Sequence, residues 1–143
     1  MVTRSPKTKR LRTHELVRIL EPFLAQKRRI LLVFLYGSAV SGRTHAASDV
    51  DIGILFGAVP NVSQTNALTA ELSSVLGKEV DLVVLNHASP ILKMQVLKKG
   101  VLAFAGDPKI YHRFFVDTCN QYDDLKRIRK VCEDNILKGR IYA

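Results

Sequence analysis

Apolar and polar positions follow two periods along this chain. Over 14–28, Leu16, Ile19, Leu20, Phe23 and Leu24 recur at helical spacing. Thr13 stands where an N-cap belongs, and Pro22 inside the segment predicts a kink or an early end. Residues 30–36 are apolar at every position, the pattern of a strand buried on both faces, and Gly37 ends it. Residues 49–56 alternate instead: Val50, Ile52, Ile54 and Phe56 point one way, and Asp49, Asp51, Gly53 and Leu55 the other. After Pro60 the spacing predicts a helix over 63–76, with Leu68, Leu72, Val75 and Leu76 inward and Gly77 as its stop. Residues 79–85 read as a third strand. Ser89-Pro90 is a cap followed by a first-turn proline, predicting a short helix to Lys99 that stops at Gly100. Val101 to Ala105 suit a fourth, edge strand. Asp107-Pro108 repeats the cap signal and opens a long helix to about Lys138, closed by Gly139. Its expected apolar stripe is Ile110, Phe114, Tyr122, Leu125, Ile128, Cys132 and Ile136.

The order α-β-β-α-β-α-β-α predicts an α/β fold. Its small mixed sheet is expected to carry the acids on one side, with helices covering the other. No internal repeat is visible. The link between the first two strands, residues 37–48, is short enough to be a functional loop with at most one or two helical turns.

Composition narrows the class. With 143 residues, 47% of them hydrophobic and 24% charged, the chain suits one globular domain, and wholesale disorder is excluded. The longest apolar run is residues 30–36, far short of the roughly 20 residues that span a bilayer. The basic start leads into Thr13-His14-Glu15 and not into an apolar block, so no signal peptide is expected. Two cysteines, Cys119 and Cys132, exclude a disulfide framework. Placed on one helix they would be separated by about 20 Å of rise, beyond bridging distance. These features point to the cytoplasm. The formal charge is +9, and Arg4, Lys7, Lys9, Arg10 and Arg12 crowd the start without an acid among them. Residues 1–12 therefore read as a solvated basic tail ahead of a domain spanning 13–143. The charge favours a polyanionic partner, whether ATP, RNA or an acidic protein, without choosing among them.

The candidate chemistry lies at the second strand. Asp49 and Asp51, two apart on a strand, project from one face and repel unless a cation lies between them. Their neighbours Val50 and Ile52 face the core, so the acids are aimed elsewhere. Oxygen ligands of this kind suit a hard divalent cation such as Mg²⁺. Asp81 on the following strand can join them if the strands are neighbours; Glu79 has the same parity, so alternation does not choose between the two. The Gly37-Ser38 turn leaves a buried strand and can offer backbone N–H groups and a hydroxyl to a triphosphate. Two metals about 3.5–4 Å apart could then activate an attacking oxygen and stabilise a leaving pyrophosphate. Ser48 suits either a carboxylate or phosphate contact or a plain turn hydrogen bond.

Several other features have plainer readings. Gly37 to Thr44 approximates a P-loop, but Arg43 stands in place of the lysine and the next strand begins too soon for the obligatory helix. His14, His45, His87 and His112 lack zinc spacing. Tyr36 reads as core. Lys126, Arg127, Arg129 and Lys130 read as a solvated helix face, with docking of an acidic or RNA-binding partner as the alternative.

Gly37-Ser38, ten intervening residues and then Asp49-x-Asp51 resemble the signature of the polymerase-β-like nucleotidyltransferases. Asp81 matches that family's third acid. The short length resembles the minimal nucleotidyltransferase branch. The stretch from Glu79 to Asn86, Pro90, the Leu97-Lys98-Lys99-Gly100-Val101-Leu102 run and the long final helix are similar to MntA-type antitoxins of type VII toxin–antitoxin systems. The resemblance covers roughly residues 13–138 and implies a protein adenylyltransferase. It would move AMP from ATP to a tyrosine of a HEPN-domain ribonuclease toxin and so neutralise it. It implies that Asp49 and Asp51 hold two Mg²⁺ ions. Asp81 would share the catalytic one and help take the tyrosine proton, while Gly37 and Ser38 bind the β- and γ-phosphates. Many relatives carry Arg just before the second glycine; here that place is Ser41, and Arg43 is the candidate substitute. Two other readings keep the fold: a small-molecule nucleotidyltransferase of the aminoglycoside kind, and an antitoxin that acts by binding alone. Direct nucleic-acid binding rests on charge only and is not expected as the main role.

Overall fold

The computed structural model describes residues 13–37 and 49–137, with side chains as far as 134. The basic tail, Ser38, Ser41, Arg43, His45, Ser48 and Gly139 lie outside the described residues. Helix α1 (Thr13–Ala25) leads into strand β1 (Ile30–Tyr36), β2 (Val50–Phe56), α2 (Val62–Leu76) and β3 (Val80–Val84). A 3₁₀ turn (Leu85–His87), α3 (Pro90–Lys99), β4 (Val101–Ala105) and α4 (Pro108–Leu137) follow. The sheet runs β3-β2-β1-β4, with β1 antiparallel to both its neighbours and β2 parallel to β3. It is therefore mixed, and β4 lies at an edge, as the pattern predicts.

Strand parity builds two cores. Val33 and Leu35 of β1 and Val50, Ile52, Ile54 and Phe56 of β2 meet α1 through Leu16, Leu20 and Leu24, and α2 through Leu68, Leu72 and Leu76. On the opposite face Leu32 and Phe34 meet Leu85, Val96 of α3 and Phe114 of α4. The Phe34 ring lies 5.8 Å from Phe114 and 6.1 Å from Tyr111, centroid to centroid, a tilted aromatic cluster. The face that carries the acids is thus not left to them: α3 and α4 cover much of it, and the acids keep one end.

Helix α1 carries Pro22 in its last turn and ends at Ala25, three residues short of the periodic stretch, the early end that the proline predicts. The structure corrects the pattern at several points. Val75 is exposed; the inward stripe of α2 is the strict fourfold series Leu68, Leu72, Leu76. On α4, Phe114 is buried but Ile128 and Cys132 are exposed, because the 30-residue helix outruns the sheet it packs on. Ile136 lies beyond the described side chains. Strand β3 stops at Val84, and Leu85 turns into the core instead. Gly53 makes room for it: a Cβ there would come 3.1 Å from Leu85 Cδ2. Asn86 then clamps the end of β2, accepting from the Phe56 N–H and donating to its carbonyl, each at 2.9 Å.

Candidate active site

Three strands bring their ends together at one corner of the sheet. Tyr36, the last residue of β1, pairs with Asp51 of β2, and Asp51 pairs in parallel register with Asp81 of β3. Side chains at paired positions project from the same face. Tyr36, Asp51 and Asp81 therefore stand in a row across the sheet, with exposed Asp49 just ahead of β2. The Val50 N–H donates to the Glu79 carbonyl at 2.9 Å, which fastens the entrance of β2 to that of β3.

The bend after β1 is shaped around this row. Gly37 has φ +73°, a backbone state that side chains rarely adopt. A Cβ at that position would overlap the Asp51 carboxylate and lie 3.1 Å from its Cγ. The main chain thus approaches the acid as closely as only glycine allows.

Electrostatics shows that the neighbouring carboxylates act on Asp51. Burial pushes the Asp51 carboxyl above its ordinary range, and the charges of Asp81 and then Asp49 push it further. Burial, with Asp51 and Asp81 behind it, pushes the Tyr36 phenol up to about 12. The phenol therefore stays protonated at neutral pH and can donate but not accept a proton. Asp81, not Glu79, is the β3 acid that pairs with Asp51 and presses on it.

The row is not a closed chelate. Among the described residues no group of three His, Cys, Asp or Glu side chains is close enough to hold a metal ion. This departs from the expected three-acid convergence: Asp49 and Asp81 are exposed, whereas Asp51 is half-buried. The site nonetheless fits a divalent cation. It offers hard oxygen donors, two of which raise the proton affinity of the central Asp51, and a glycine cradle against that acid.

Sequence reasoning missed Tyr36 as a site residue. Its parity with Leu32 and Phe34 and its place before Gly37 were available signals; the register that sets it beside Asp51 was not. Among the described residues His14, His87 and His112 are exposed and join no cluster. Cys119 and Cys132 are free thiols. No described helix is long and apolar enough to cross a membrane.

Comparison with known proteins bears on this arrangement directly. The family described as polymerase beta, nucleotidyltransferase, matches residues 19–109, which include all the described acids of the row. The chain belongs to the polymerase-β nucleotidyltransferase family. It is accordingly a nucleotidyltransferase, of a family that generally uses ATP and a divalent metal. Among curated relatives it is 32% identical over 110 residues to the protein adenylyltransferase MntA of Shewanella oneidensis, covering 76% of this chain and 78% of that protein. Among solved structures it is similar to a toxin–antitoxin crystallised with AMP-PNP, with a TM-score of 0.70 and 28% identity over 89% of this chain and 99% of that one. It is also similar to the nucleotidyltransferase antitoxin bound to a tri-AMPylated Shewanella oneidensis HEPN toxin, with a TM-score of 0.66 and 25% identity, covering 85% and 95% of the two chains. These nucleotidyltransferases share the mixed sheet and flanking helices described above.

Proposed function

We propose that this chain is a protein adenylyltransferase antitoxin, which transfers AMP from ATP to a tyrosine hydroxyl of a HEPN-domain ribonuclease toxin and so silences it. The single observation that carries the reading is the row Tyr36–Asp51–Asp81 across three paired strands, in a chain similar to MntA. Asp49, Asp51 and Asp81 would hold Mg²⁺, two ions by family resemblance. When bound, the metal supplies Lewis-acid stabilisation of the triphosphate charge.

The chain's own residues do the rest. The Gly37-Ser38 bend grips the β- and γ-phosphates through backbone N–H groups and the serine hydroxyl. Arg43 and Ser48 extend that grip, with Arg43 taking the place of the arginine absent at Ser41. The acceptor tyrosine oxygen attacks the α-phosphorus, the bond to the β-phosphate breaks, and pyrophosphate leaves. Asp81, on the open edge strand, takes the phenolic proton of the acceptor. Tyr36 remains neutral beside Asp51 and walls that side of the site. The acceptor arrives on the partner toxin, with which the chain forms a hetero-oligomer.

The test is label transfer to the partner. Incubated with the cognate HEPN toxin and ATP, the chain should move an α-phosphate label onto the toxin and leave a γ-phosphate label in pyrophosphate. Movement of the γ-label would make it a kinase. The contact-only alternative makes a separate demand: Asp51→Asn would then relieve toxicity in cells as well as the parent does.

A further inference from the structure

A cavity lies at the end of the same strands away from the carboxylates. It occupies about 400 Å³ between the α1–β1 turn, the end of β2 and the start of α2. Six β1 residue steps, about 20 Å, separate it from the carboxylates. Its floor is apolar, made by Ile30 and Phe56, which pair across β1 and β2. Its rim carries Gln26, Arg28 and Arg29 on one side and Gln64 on the other.

The rim has binding capacity to spare. Lys27, in the same turn, is engaged by Glu71 at 3.1 Å and lies over the Phe23 ring. Arg28 and Arg29 are exposed and make no ion pair or side-chain hydrogen bond among the described residues. The Gln64 Oε1 accepts from the Asn61 N–H at 3.0 Å, so its amide N–H₂ remains available to a ligand acceptor. Two guanidinium groups suit the oxygens of a phosphate. The two glutamine amides suit the mixed donor and acceptor edge of a base, and the apolar floor suits a planar ring.

We propose that this cavity binds a nucleoside monophosphate unit, with Arg28 and Arg29 on the phosphate, Gln26 and Gln64 on the base edge, and Ile30 and Phe56 beneath the ring. The unit is either a free nucleotide or the 5′ end of an RNA strand; the recognition chemistry is shared. The proposal does not depend on the AMP-transfer reading. An acidic peptide matches the arginines but leaves the amide rim unused, so the nucleotide is the better fit.

The test is an NMR titration of the full chain with AMP in EDTA, which weakens nucleotide binding at the carboxylates. Backbone amides of Arg29, Phe56, Gly57 and Gln64 should shift, while those of Gly37, Asp49 and Asp51 stay. Arg28→Gln and Arg29→Gln should each weaken binding about tenfold, as loss of a charge-assisted hydrogen bond does. Both residues are exposed, so an unchanged melting temperature is expected. Adenosine without its phosphate should bind far more weakly. A 5′-phosphorylated oligoadenylate that moves the same amides at lower concentration identifies RNA as the source; if only AMP moves them, the source is the free nucleotide. Shifts confined to the carboxylate end, unaltered affinity in the double variant, or tighter binding of an oligoglutamate peptide would each overturn the proposal.

Discussion

Where β1 ends, two carboxylates and a neutral phenol stand on regular strands, with a third carboxylate just ahead of β2; where β1 begins, two arginines stand on a turn over an apolar floor. The first end uses the sheet face shared with α3 and α4, the second the face shared with α1 and α2. The acids are placed by ladder register, which a one-residue slip would turn to the wrong face. The arginines are placed only by a four-residue turn, whose backbone is tied by the Lys27 N–H to the Leu24 carbonyl and by the Gly57 N–H to the Arg29 carbonyl. Chemistry that tolerates little misplacement sits on the rigid elements, and adaptable charge sits on the turn. The net charge of +9 reveals neither arrangement, since it averages an acidic corner with a basic one.

The largest expected effect breaks the acidic end alone. Asp51→Asn should lower transfer by more than about 100-fold, since even the outer-shell partners of metal ligands are worth 10–100-fold. Initial-rate measurement with labelled ATP checks this. The same change should raise thermal stability at neutral pH in EDTA. Asp51 has a raised carboxyl pKa in the folded chain, so its ionisation opposes folding as pH climbs above the ordinary carboxylate value. Below that value both states are protonated and the advantage of the variant should vanish. Melting curves at pH 3 and pH 7 give the sign.

Gly37→Ala comes next. The left-handed φ costs about 1–2 kcal/mol for any side chain, and the added methyl must displace the Asp51 carboxylate. Transfer should fall at least about tenfold while the circular dichroism spectrum stays native, because 1.4 kcal/mol of misplacement is already a factor of ten. Asn86→Ala shifts the test to the far end of β2. Losing both hydrogen bonds to Phe56 should cost about 1–3 kcal/mol of stability by denaturant unfolding, with a smaller change in rate than Gly37→Ala. The smallest effect belongs to Lys27→Ala, whose exposed pair with Glu71 is worth less than about 1 kcal/mol. If that change proved as costly as Asn86→Ala, the view of the turn as adaptable would be wrong.

Much of this architecture is legible in the residues themselves. The apolar run before Gly37, the alternation around Asp49 and Asp51, and the Ser89-Pro90 and Asp107-Pro108 signals place β1, β2, α3 and α4 to within a few residues. The spacing from Gly37-Ser38 to the acids points to the family because it is local. What depends on tertiary partners is not legible. Leu85 leaves its strand because Gly53, about thirty residues earlier in the chain, opens a hole for it. Ile128 is exposed because α4 extends past the sheet. Tyr36 joins the site only through antiparallel register with Asp51. The cationic cavity gathers residues from the α1–β1 turn, the end of β2 and the start of α2, none of which carries a motif.

The most direct test of the central claim is the intact mass of the HEPN partner after co-expression with this chain. With the parent sequence the partner should gain one or more AMP-sized increments, and with Asp51→Asn it should gain none. Equal increments from both, or phosphate-sized increments from either, would contradict the assignment of the Asp49–Asp51–Asp81 corner as the seat of nucleotidyl transfer.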